Sequence, residues 1–85
     1  MSKVHEVKIS SLFFDNVACG REPFELRVDD QEYQVGDYLV LQEYSNRETI
    51  KVISYKIDGG KYGLDKLYCC LGLRELTPDD YNIKE

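Results

Sequence analysis

The densest run of polar chemistry in the sequence is Gly20-Arg21-Glu22-Pro23-Phe24-Glu25-Leu26-Arg27. In an extended chain Glu25 and Arg27 project from one face, while Phe24, Leu26 and Val28 take the other. A carboxylate acceptor and a forked guanidinium donor placed this way can read the polar edge of a ligand together. The same two residues on a solvated sheet form an ion pair worth little to stability, and the sequence leaves both readings open. Gly20-Arg21 has a similar double meaning. Gly20 suits a helix C-cap with Arg21 complementing the dipole, or a loop from which Arg21 reaches a phosphate.

Aromatic residues supply the second kind of chemistry. With 7 Tyr and 3 Phe in the chain, a platform for stacking an unpaired base is available in principle. Phe13, Phe14 and Phe24 are expected in the core. Tyr33, Tyr38, Tyr44, Tyr55, Tyr62 and Tyr68 are amphipathic, so each either lines a cleft or packs its ring and leaves its hydroxyl wet. The predicted ligand-binding set is Gly20, Arg21, Glu25, Arg27 and Tyr68.

Other motifs lead away from chemistry. Asp58-Gly59-Gly60 lacks the spacing of a phosphate loop and reads as a turn. Asp29-Asp30 are adjacent turn carboxylates that diverge into water. The three cysteines, Cys19, Cys69 and Cys70, show no CxxC spacing, and the single His5 completes no usual zinc set. Free thiols are expected, with no metal, no cofactor and no catalytic constellation. In a strand, Cys69 and Cys70 point to opposite faces, one into the core and one outside.

The elements that must position these residues follow from patterning. His5, Val7 and Ile9 alternate with Glu6 and Lys8, which predicts a half-buried strand. Ser10-Ser11 offers an N-cap, and the pairs Phe13/Val17 and Phe14/Ala18 precede Gly20, so a helix is expected from about Leu12 to Cys19. Phe24 to Val28 forms the next strand, Asp29-Asp30-Gln31-Glu32 turns the chain, and Gly36-Asp37 launches a central strand, Tyr38 to Tyr44. Ser45 to Glu48 has loop chemistry. Across Thr49 to Ile57 the apolar phase switches from Ile50 and Val52 to Ile53, Tyr55 and Ile57, the mark of a bulge that bends a sheet. Lys61 to Leu67 reads as an irregular connection. Tyr68 to Leu76 is the last strand, with Cys69, Leu71 and Leu73 inward, and residues 77–85 are expected to fray. The order β-α-β-β-β-β predicts an α+β fold: a small, partly open barrel of about five or six strands with one short helix.

At 85 residues the chain has room for one domain, 1–85, with its core over about 5–76. Its net charge of −5 argues against a strong non-specific hold on a polyanion. No apolar stretch approaches the run of about 20 needed to cross a bilayer, and the N-terminus lacks the apolar region of a secretory signal. The expectation is a cytoplasmic protein.

The succession His5-Glu6-Val7-Lys8-Ile9, the run Gly20 to Arg27, Tyr33-Gln34-Val35-Gly36-Asp37, Leu41-Gln42-Glu43-Tyr44 and Asp58-Gly59-Gly60 resembles the ASCH superfamily, whose fold is the PUA-like barrel. The resemblance covers roughly residues 5 to 75 and is nearest to small bacterial and phage proteins carrying a G-x-K-x-x-E-x-R element followed by a V-G-D turn. Gly20, Glu25 and Arg27 match that element. The resemblance implies an RNA or nucleotide-like ligand held in a cleft beside the first helix. Some ASCH relatives are amidohydrolases acting on a modified cytidine, and there the lysine of the element is central. Glu22 stands in that position here, which removes the amine and replaces a phosphate partner with a repulsive group. Three functions are therefore carried forward: a non-catalytic RNA-binding module, a small-nucleoside enzyme with Glu25 as base, and a phage- or host-protein interaction domain.

Overall fold

The computed structural model describes residues 2–44 and 47–81. Its elements are β1 (Val4–Ile9), α1 (Ser11–Ala18), β2 (Phe24–Val28), β3 (Tyr38–Glu43), β4 (Glu48–Ile57), β5 (Tyr68–Arg74) and α2 (Pro78–Tyr81). The five strands form one mixed sheet in the order β1-β3-β4-β5-β2, so the fold is α+β. β1 runs parallel to β3, and the remaining neighbours are antiparallel. β1 and β2 are the outer strands, so the expected barrel does not close. Ser45 and Asn46, in the expected loop, and residues 82–85, in the expected tail, lie outside the described residues.

β4 is the spine of the sheet. Its first half pairs with β3 and its second with β5. The register breaks between Ile53 and Tyr55, just past the phase switch from Val52 to Ile53 that predicted a bulge in this strand. A bulge there bends the strand and increases its twist, dividing the sheet into a β1–β3 wing and a β5–β2 wing. The core lies against the inner face of both wings. Val7 and Ile9 of β1, Leu39 and Leu41 of β3, and Cys69 and Leu71 of β5 are buried there together with Phe14 and Val17 of α1.

α1 begins where Ser10 Oγ accepts from the Leu12 amide at 3.1 Å, satisfying one of the helix's free donors. It ends at Gly20, whose φ of +85° suits a residue without a side chain. Phe14 and Val17 are buried, whereas Phe13 is 51% exposed, a correction to its expected place in the core. A single amphipathic helix can bury only one stripe, and Phe13 lies off it.

The larger correction concerns β2. Phe24, Leu26 and Val28 are exposed on the outer face, and Glu25 and Arg27 face inward. Register extends the apolar exterior across the wing. Phe24 lies opposite Gly72, which lies opposite Tyr55; Leu26 lies opposite Cys70, which lies opposite Ile57; and Val28 lies opposite Tyr68. β4 inverts in the same sense before its bulge, with Lys51 buried and Ile50 exposed. The alternation was legible, but which face met the core depended on the bend of β4.

The expected tail is partly ordered. Tyr38 Oη donates to Asp80 O at 3.3 Å, and Arg74 Nη1 donates to Asp80 Oδ2 at 2.8 Å. α2 is thus tied through Asp80 to Tyr38 of β3 and to Arg74 at the end of β5. Among the described residues no helix is long and apolar enough to cross a membrane.

Candidate functional site

The inner face of the sheet carries a ring of charged and polar groups around its apolar centre. His5 and Asp37 occupy one side of it. His5 Nε2 lies 2.8 Å from Asp37 Oδ2, and Asp37 also accepts from the amides of Lys3 at 3.0 Å and Gln34 at 3.1 Å. Burial opposes ionisation of Asp37, but these hydrogen bonds outweigh it and hold the carboxyl below its ordinary value. Tyr33 stacks its ring obliquely on His5, with centroids 4.7 Å apart, and donates its hydroxyl to Asp30. Burial is the main cause that pushes its phenol up to about 12. This cluster seals the crossing from β2 to β3, and Tyr33 is fully enclosed instead of lining a cleft.

Glu25 and Arg27 adjoin this cluster along β2, with Arg27 next to the Tyr33 hydroxyl. Arg27 Nη1 donates to Glu25 Oε2 at 3.3 Å, with side chains 20% and 12% exposed. Arg27 Nε is buried and finds no acceptor among the described residues. Burial raises the Glu25 carboxyl above 4.5, Arg27 works against the shift, and Glu22 adds to it. An incompletely satisfied charged pair at an edge strand costs stability, and sites with such costs are often functional.

Beside this pair lies a cleft of about 430 Å³. It opens between the outer strands, bounded by Lys8, Ile9 and Ser10 on one side and by Phe24, Glu25 and Leu26 on the other, with Phe13 and Glu22 also lining it. The backbone of β2 faces this space. Leu73 N donates to Pro23 O and Asp29 N to Leu67 O, so alternation turns the odd-numbered residues of β2 toward β5 and leaves the amides and carbonyls of Phe24 and Leu26 on the open edge.

The predicted binding residues divide. Glu25 and Arg27 come together, with Glu25 on the cleft. Gly20 lines a different cavity of about 240 Å³ with Lys51 and Glu75, where Lys51 Nζ donates to Ala18 O and pairs with Glu75. Arg21 is exposed and donates to Asn16 Oδ1 at 3.0 Å. Tyr68 is on the outer face, opposite Val28 and away from the Glu25–Arg27 pair. Sequence reasoning missed Lys8, Phe13 and Phe24 as cleft residues because it assigned the last two to the core. The available signal was Phe24 inside the polar run, between Glu22 and Glu25. Among the described residues no group of three or more His, Cys, Asp or Glu side chains is arranged to hold a metal ion.

A family model described as a domain of unknown function, DUF3850, matches residues 4–73. The chain is also similar to an uncharacterised 12.9 kDa protein in the GpA 3′ region of Escherichia phage P2, at 43% identity over 44 residues. That match takes in 52% of this chain and 40% of the phage protein.

Proposed function

For this chain, which belongs to the DUF3850 family, we propose an RNA-binding function in which the cleft between β1 and β2 takes one unpaired base or a nucleotide-like ligand without catalysis. The observation that carries the reading is the placement of Phe13 and Phe24 on the lining of a cleft that also holds Glu25. Aromatic rings stack on any base, and a carboxylate accepts from an exocyclic amine. The volume is that of a small-molecule site. The resemblance to ASCH domains supports the same reading, as does a bent, partly open sheet that accords with a PUA-like architecture. Among the described residues, Lys8 alone supplies a cation to the lining, beside Glu22 and Glu25, so the base contributes more than the phosphate.

The test is titration with short single-stranded and structured RNAs at low and moderate salt, with Phe13→Ala and Glu25→Gln alongside. Binding lost in both variants, with a salt slope near the ~0.7 expected for one phosphate contact on a single strand, supports the reading. Absence of binding to every RNA at low salt refutes it.

The raised Glu25 carboxyl favours a second reading, a small-nucleoside amidohydrolase with Glu25 as general base and Arg27 orienting the substrate. Incubation with acylated cytidines tests it, and unchanged substrate at high protein concentration rejects it.

A further inference from the structure

The three outer rows of the β5–β2 wing contain no charged residue, in a chain that is 32% charged. Glu25, Arg27 and Lys56 are turned inward, and Arg74, at the end of β5 beyond these rows, is paired with Asp80. Phe24 is 43% exposed, Leu26 52%, Val28 42%, Tyr55 63% and Tyr68 39%. Burying such aliphatic and aromatic side chains is favourable, so leaving this face in water forfeits much of what the wing could contribute. α2 is tied to this outer face at Tyr38 of β3 and at Arg74, the last residue of β5, beyond the three apolar rows.

We propose that this face is the contact surface of a symmetric dimer, formed when the outer sheet face of one copy packs on that of a second. The area fits. An aromatic side chain buries roughly 150–250 Å², and at the exposures above the patch presents on the order of 500 Å². Two copies then remove about 1,000 Å² from the patches, close to the lower end of specific interfaces, and because Phe24 and Leu26 also line the cleft, the dimer and the RNA-bound chain are alternative states. Charge fits as well. Two copies each carrying −5 repel, and a face without charges is where they can approach at least electrostatic cost. A sheet face of this kind can pack on its own copy across a two-fold axis.

The experiment is sedimentation equilibrium of the chain over a wide concentration range, with Tyr55→Glu and Val28→Glu. These residues lie on different strands and outside the cleft lining, and circular dichroism checks each fold. The expected result is a species of twice the 9.9 kDa chain mass, shifted to monomer by either folded variant with at least tenfold weaker association. If Val28→Glu fails to fold, Tyr55→Glu on the longer, interior β4 decides alone. A wild-type chain that stays monomeric at its highest soluble concentration overturns the proposal. So does a dimer that Tyr55→Glu leaves intact, since the contact would then be elsewhere, and so does a monomer that binds RNA through this face, with Tyr55→Glu abolishing binding.

Discussion

His5 and Asp37 are buried against each other, Nε2 to Oδ2 at 2.8 Å, and together they fasten β1 to the turn that starts β3. Asp37 gathers three contacts in one carboxylate, reaching His5, the Lys3 amide and the Gln34 amide. Asp37→Ala leaves three donors facing an apolar space, so a loss of about 3–5 kcal/mol is expected, measured by urea denaturation. Its folded-state pKa is depressed, so its stabilisation is present above its unfolded value of 3.8 and is lost as pH falls through the lower folded value. Acid titration of stability should show that loss below about pH 4 in the wild type and not in Asp37→Asn.

Glu25 carries the opposite sign. Its carboxyl is raised by burial, so its folded form gains stability below 4.5 and loses it as pH rises through the folded value. At neutral pH the group is therefore held at a cost. Glu25→Gln keeps an acceptor for Arg27 and removes the buried charge, so it should leave stability unchanged or raise it by about 1 kcal/mol while abolishing ligand binding. A loss of stability comparable to that of Asp37→Ala would make the Glu25–Arg27 pair a structural device.

The strands were legible because alternation is a local property. Val7 and Ile9, the phase switch from Val52 to Ile53, and Cys69, Leu71 and Leu73 each announced a feature that the structure contains at or next to that place. The facing of β2 was not legible. Alternation says that Phe24, Leu26 and Val28 share a side, but which side meets the core depends on the bend of β4 and the docking of α1, and no five-residue pattern encodes that. Phe13 was misplaced for the same reason, and the cleft went with it. Tyr33 was placed among the cleft tyrosines because a sequence does not show that His5 will stack on it.

The three thiols should separate by reactivity. Cys69 is fully buried, and burial pushes its pKa up to about 11, which leaves almost no thiolate at neutral pH. Cys19 is exposed and Cys70 half-buried. Under native conditions a thiol reagent should modify Cys19 first, Cys70 more slowly and Cys69 only on unfolding, read by mass spectrometry of peptides. In a dimer formed through the outer face, Cys70 should also become slower as protein concentration rises, while Cys19 keeps its rate.

Gly59 explains why the segment before β5 showed no periodicity. That segment has little regular structure and is folded back on the turn after β4, so that a side chain at Gly59 would lie 2.4–2.5 Å from the carbonyl oxygens of Asp65, Lys66 and Tyr68. All three obstacles are backbone and cannot swing aside. Gly59→Ala should therefore cost about 1–3 kcal/mol or more through forced displacement of the chain. Gly36→Ala meets open space and bears only the strain of its φ of +97°, about 1 kcal/mol. Because Tyr68 opens β5 and sits opposite Val28, the displacement at Gly59 should pass into the β5–β2 pairing. Hydrogen exchange should then quicken at the β5 amides in Gly59→Ala and stay unchanged there in Gly36→Ala. Equal destabilisation by the two substitutions would mean that the close approach at Gly59 does not hold the β4–β5 connection in place.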